Sequence, residues 1–279
     1  MGCFESLSCA CAVCGQNSLP GATGSHAFPR LPPDEGGSRL RLNTLPLRDT
    51  GAGGGETVFQ RDYFMRMIEQ MTEAVGQVLQ LRKERKHEEA LEYLDDLLDK
   101  QFRLSSKLIR SLSDEDLVKV LTTNGVLETD HLQAIALLLK QEALIYEELG
   151  REDETFAANV KALQLFLRLA LADAEPTLAE PREQIGELLE TLRPYELPIS
   201  VKRLLMDWHM AEGQYDLAEN MLYELLSDQA IWSEEAAGIY KRLLLLTDEE
   251  LEAGGLPRDE VEQGLASLLA IQDESRKQA

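Results

Sequence analysis

The chain has 279 residues, a formal net charge of -22, 44% apolar residues and 6% aromatics. That length holds one large domain or two small ones, and the excess of Leu, Ala and Glu over aromatic residues favours helix. So negative a surface repels phosphate backbones and anionic headgroups, which excludes nucleic-acid or membrane binding through a basic patch, and no apolar run approaches the roughly 20 residues that span a bilayer.

The first stretch, MGCFESLSCACAVCG, raises two specific chemistries. Met1-Gly2 with Ser6 fits a myristoylation pattern, and Cys9, Cys11 and Cys14 with His26 could ligate zinc. Neither is the expected reading, because a zinc site of this kind ordinarily supplies a second Cys or His pair downstream. Residues 1–57 hold all four cysteines, five of the ten prolines and ten of the nineteen glycines, with no Lys, Ile, Tyr or Trp. Such a composition cannot bury enough surface to offset chain entropy, so a disordered leader is expected over 1–57 and a helical domain over 58–279. Gly53-Gly54-Gly55-Glu56-Thr57 is encoded by a purine-rich message just ahead of Val58, which resembles a bacterial ribosome-binding site before a GTG start. The native protein is therefore expected to begin at Val58. Peptides covering residues 30–48 in protein from the native host would contradict this. No Cys follows Cys14, which suits a reducing cytoplasm.

Residues 59–81 place Phe64, Ile68, Met71, Val75, Val78 and Leu79 three and four apart, the stripe of an amphipathic helix. A second helix carries Ala90, Leu91, Leu94, Leu97, Leu98 and Leu104. Ser113, ahead of Asp114, Glu115 and Asp116, is an N-cap, and Asn124-Gly125 is expected to end the helix that Ser113 starts, with Gly125 left-handed. Thr129 or Asp130 caps a long helix to Leu149, closed by Gly150, and another runs from about Asp153 to Leu171. Pro181 opens a short helix to Leu192, followed by a stiff connector holding Pro194 and Pro198. The last helices are expected over 199–211, 215–227, 233 to about 251, and 259–272. No segment alternates apolar and polar residues as a strand would, so the fold class is all-α.

Three units look alike: RKERKHEEALEYLDDLL, YEELGREDETFAANVKALQLF and MAEGQYDLAENMLYELL. Each has a helix, a tight turn near Lys86, Gly150 or Gly213, and a second helix with a small residue early. This resembles the tetratricopeptide repeat. The third unit matches best, with Gly213, Tyr215 and Ala218 in order and Leu222 and Leu225 behind; in the second, Phe156 and Ala157 are displaced by one. Each such hairpin is apolar on two sides and is stable only when stacked. Antiparallel hairpins are therefore expected to stack as a short right-handed tetratricopeptide-like solenoid around one continuous interior. The segments VFQRDYFMRMIEQM, LLLKQEALIYEELG and EGQYDLAENMLYELL also make most of residues 58–226 similar to an uncharacterised family of tetratricopeptide-like proteins from Gram-positive bacteria. The resemblance implies a small helical cytosolic protein of unknown function and brings no catalytic residues.

Glu84-x-x-His87 and Glu128-x-x-His131 have the spacing used by di-iron carboxylate bundles. In a chain so rich in Glu the expected reading is two solvated helix ends, which leaves a di-iron protein third among the functional readings. His209, beside Trp208 on an apolar helix, is expected to be structural. There is no phosphate loop and no GxSxG elbow, and no cofactor or metal is expected. The leading expectation is a non-enzymatic cytoplasmic module for protein–protein interaction, binding a protein or peptide. Its groove would be lined by the first helix of each pair, with parts of 132–148 and 199–210. Lys140, Lys202 and Arg203 are the exposed cations expected there, either meeting a partner's carboxylates or simply solvated. The runner-up is an intracellular sensor for a peptide or small ligand, and a homodimer stays open.

Overall fold

The computed structural model describes residues 55–102 and 104–278, with side chains over 65–102 and 104–270. The expected disorder of the leader lies outside the described residues, except that 55–57 form the start of α1. The helices run α1 (Gly55–Lys83), α2 (His87–Phe102), α3 (Ser106–Ser111), α4 (Asp114–Val120), α5 (Thr129–Glu148) and α6 (Glu152–Leu171). Then follow α7 (Pro181–Leu192), α8 (Ile199–Ala211), α9 (Tyr215–Ser227), α10 (Ser233–Leu243), α11 (Asp248–Ala253) and α12 (Arg258–Gln278). The architecture is all-helical apart from one hairpin of two-residue strands, β1 (Thr122–Thr123) and β2 (Val126–Leu127). No helix among the described residues is long and apolar enough to cross a membrane.

Three of the helix pairs turn by the same device. Arg85, Gly150 and Gly213 sit at φ 58°, 69° and 71°, and the second helix starts two residues later each time. In each, the N–H of the left-handed residue bonds the carbonyl three back and the next N–H reaches five back, as in Lys86 N–H to Leu81 (2.9 Å), Arg151 to Tyr146 (2.9 Å) and Gln214 to His209 (2.9 Å). This is the Schellman closure, which satisfies otherwise orphaned carbonyls at a helix C-terminus. The residue in the glycine slot of the first unit is thus Arg85, not the expected Lys86. A Cβ at positive φ costs about 1 kcal/mol. Arg85→Gly is accordingly expected to stabilise the protein by roughly 1 kcal/mol, less the entropy glycine adds to the unfolded chain, measured as a higher midpoint in urea at unchanged slope.

Four local expectations are corrected. In α1 the buried stripe is Met67, Met71, Ala74, Val78 and Leu81, while Leu79 is exposed and Ile68 and Val75 are half-buried. Both stripes keep three-and-four spacing, but α1 packs on α2 and α5, and that seam takes the face one residue round. Phe64 lies outside the described side chains. The second helix stops at Phe102, because Ser105 caps a separate α3 by accepting from the N–H of Leu108 (3.2 Å). Asn124-Gly125 is a hairpin turn rather than a helix stop. Both residues have positive φ (54° and 79°) and Thr122 and Thr123 pair with Leu127 and Val126, the geometry for which Asn-Gly is the favoured sequence. The helix from Ser233 divides in two. Thr247 and Glu250 form a capping box, with Glu250 N–H to Thr247 Oγ1 (3.2 Å) and Thr247 N–H to Glu250 Oε2 (2.8 Å), which starts α11 afresh.

Ser113 caps α4 as expected, accepting from the N–H of Asp116 at 3.0 Å. The α6–α7 connection is pinned from inside. Gln133, fully buried on α5, donates to the carbonyl of Glu175 (2.7 Å) and accepts from the N–H groups of Thr177 and Leu178 and from the Thr177 hydroxyl. The interior is not continuous but falls into two apolar clusters. One joins α1 through α8 up to Leu205, and the other runs from Met206 of α8 to Leu268 of α12. Adjacent residues of α8 therefore serve different cores, and Met221 of α9 packs against both.

Candidate functional site

A cleft of about 640 Å³ is walled by α4, α6, α8 and α10. From α8 it takes Ser200, Arg203, Leu204 and Asp207, with Met206 beside them, and from α10 it takes Glu235, Gly238, Ile239 and Arg242. Each set steps by three, four and seven, which is one face of a helix. Arg168 of α6 with Asp114 and Glu115 of α4 form the remaining wall. Gly238 faces open space, since a Cβ there would meet nothing within 4 Å.

Most of the charges in the cleft are already spent. The Arg168 Nε donates to Asp114 Oδ2 (2.7 Å) and its Nη2 to Glu115 Oε1 (3.2 Å). Arg203 donates to Glu235 Oε1 (3.2 Å) and to the carbonyl of Ala230. Asp207 and Arg242 are different: neither has a hydrogen bond or ion pair among the described residues. Asp207 is open to solvent yet hemmed in by the cleft walls, and the loss of surrounding water pushes its carboxyl above the ordinary aspartate value against the pull of Arg242, Arg168 and Arg203. Arg203 meets Glu235 near the start of both helices, and Asp207 faces the field of Arg242 farther along both. Arg203–Glu235 and Asp207–Arg242 are thus matched in the same order along the two cleft faces.

The predicted cations fall in three places. Arg203 lies in the cleft, tied down as above. Lys140 of α5 is half-buried and donates to Gln184 Oε1 (2.7 Å) and to Glu187, both on α7. Lys202 corrects the expectation of exposure, being 3% exposed. Its ammonium sits among Glu196, Glu224 (3.1 Å) and Asp228 (2.8 Å), and Asp228 first, then Glu196, hold it well above the ordinary lysine range. Helix α5 also differs from expectation. Its 132–148 stretch is mostly core, including Leu132, Ile135, Leu138 and Ile145, and lends nothing to the cleft.

The two Glu-x-x-His motifs engage separate neighbours. Glu84 bonds Gln80 (3.2 Å) and Lys86 (2.9 Å), while His87 Nδ1 lies 3.2 Å from Glu148. His131 pairs with its own Glu128 at 2.5 Å. Among the described residues no group of three His, Cys, Asp or Glu side chains is arranged to hold a metal ion. His209 is buried, its Nδ1 2.8 Å from Gln214 Oε1, and burial lowers its pKa. A second depression, on α2, is lined only by Glu89, Glu92, Tyr93, Asp95 and Asp96, and Asp95 is occupied by Arg110 (2.5 Å).

A family model described as a family of unknown function, DUF6483, matches residues 58–273. The chain belongs to that family. No curated protein and no solved structure matches the chain. Every residue of the cleft, from Asp114 to Arg242, lies inside the DUF6483 region. The sequence reading reached Arg203 but missed Asp207 and Arg242. Their signal was the shared spacing, Ser200-Arg203-Leu204-Asp207 on one helix and Glu235-Gly238-Ile239-Arg242 on another.

Proposed function

We propose that this chain is a non-enzymatic, cytoplasmic, tetratricopeptide-like helical-repeat module whose cleft between α6, α8 and α10 binds a protein partner. The observation that carries the reading is the pair of exposed opposite charges, Asp207 and Arg242, that line the cleft on two helices without a hydrogen bond or ion pair among the described residues. The other charges of the cleft are closed on one another, as Arg203 and Glu235 are. The repeat-like reading is supported by the three equivalent turns and by α4, α6, α8 and α10 alternating onto one side; a right-handed stack places every second helix so. The cysteine-free sequence after residue 14 suits a reducing compartment.

The test is co-purification from the native host with wild-type protein and with Arg242→Glu, quantified by mass spectrometry. A protein recovered in stoichiometric amount with the wild type and lost with the variant supports the reading. Identical recoveries overturn it. The cleft volume also falls within the range that holds small ligands, which favours the sensor as second reading. A copurifying small peptide or metabolite in place of a protein decides for it. Light scattering on the same preparations reads the oligomeric state.

A further inference from the structure

Resting on that reading of the cleft, we infer what occupies it: a peptide segment that presents a carboxylate to Arg242 and a basic side chain to Asp207, with an apolar side chain on Trp232. Arg168 and Arg203 have their carboxylates, and Glu235, Asp114 and Glu115 have their guanidinium groups. What is left facing the space is one carboxylate and one guanidinium, not in contact with each other. An occupant with a single charge satisfies one and leaves the other desolvated beneath it, which is costly. A segment carrying both signs satisfies both.

Trp232 supplies the third element. It precedes α10 and is 82% exposed. In the chain it lies between Ala230 and Glu235, and Arg203 of the cleft bonds both, so Trp232 lies next to the Arg203 end of the cleft. Exposed tryptophan beside a concave charged surface is the residue type that contributes most when an interface forms. A peptide is favoured over a small zwitterion because Trp232 and the charged interior have to be spanned together.

The chain has two tryptophans, which gives a direct readout. Trp208→Phe removes an indole whose N–H has no partner among the described residues and leaves Trp232 as the reporter. Short blocked peptides with one Lys, one Glu and an intervening Leu are titrated into this full-length variant, against peptides matched in length with two Lys or two Glu. The mixed-charge peptide is expected to shift Trp232 emission to the blue and to bind about tenfold more tightly than either like-charged peptide. Asp207→Lys is expected to move the preference to the two-Glu peptide, and Arg242→Glu to the two-Lys peptide. Equal affinity for all three, or a preference that the two charge reversals leave unchanged, overturns the inference. The parent reading fails separately. If native-host recoveries ignore Arg242→Glu the cleft is not the binding surface, whereas a partner lost with that variant beside indifferent peptides removes only the stated chemistry.

Discussion

Replacing Glu142 by Leu is expected to lower the unfolding free energy by about 3 kcal/mol, the usual cost of leaving one member of a buried ion pair alone. Glu142 is 1% exposed on α5. Arg110 of α3 grips it with both arms of its guanidinium, Nε to Oε2 at 3.1 Å and Nη2 to Oε1 at 2.9 Å. The Tyr146 hydroxyl donates to the same carboxylate at 2.7 Å. Tyr146 therefore loses its acceptor, Arg110 is left with Asp95 alone (2.5 Å), and Leu fills the volume without accepting from either. The pair also ties α3, a helix of six residues that packs on α2, to α5, and so short a helix has little stability of its own. Arg110→Met combined with Glu142→Leu is expected to recover most of the loss, because an apolar pair of similar size carries no desolvated charge. Equilibrium urea unfolding of the two single variants and the double variant reads this as a cycle. A double variant as unstable as the sum of the singles would show that packing of α3, not charge, is what the pair maintains.

The same contact shows where the sequence is and is not legible. Arg110 and Glu142 are far apart in the chain, and each alone reads as a solvated charge on a helix. Only the approach of α3 to α5 buries the one and commits the other. The helices themselves were legible because their signals are local. Ser113 with its acidic first turn, Gly150, Gly213 and Pro181 each fix a backbone geometry without reference to distant parts of the chain. Asn124-Gly125 is local too, but the same dipeptide closes a helix or a hairpin, and the β-branched Thr122, Thr123 and Val126 decide for the hairpin. Lys202 and Arg203 were beyond local reading. They are neighbours in sequence and about 100° apart around α8, so one turns toward Glu224 and Asp228 of α9 and its terminus and is buried, while the other turns into the cleft. Asp207 and Arg242 were hidden for the same reason, since a charge is recognisable as unpaired within the protein only once every neighbour is in place.

Gly264→Ala is expected to destabilise the protein by about 2 kcal/mol, whereas Gly76→Ala in α1 is expected to stabilise it by up to about 1 kcal/mol. On helix propensity alone both changes gain about 1 kcal/mol. A Cβ at Gly76 meets nothing within 4 Å, but one at Gly264 would lie 2.6 Å from two ring carbons of Tyr240 and 2.7 Å from its hydroxyl oxygen. Tyr240 cannot swing aside cheaply. It is 1% exposed on α10, inside the second core, and its hydroxyl donates to Glu219 of α9 at 2.6 Å. Burial, then the neighbouring Glu219 carboxylate, holds that phenol far above its ordinary range, so it stays a donor at any working pH. Displacing the ring overpacks the α10–α12 seam at roughly 1–3 kcal/mol and strains a buried hydrogen bond to an ionisable acceptor, worth about 1.5–3 kcal/mol. The sum outweighs the propensity gain. Tyr240→Leu is costly alone through the cavity it leaves, but with Gly264→Ala it is expected to cost less than the sum of the two, because the added methyl enters the space the ring vacates. Thermal unfolding of the four proteins measures the coupling. Strict additivity would mean that α12 shifts along α10 to admit a side chain, and that Gly264 reflects no close approach of the two helices.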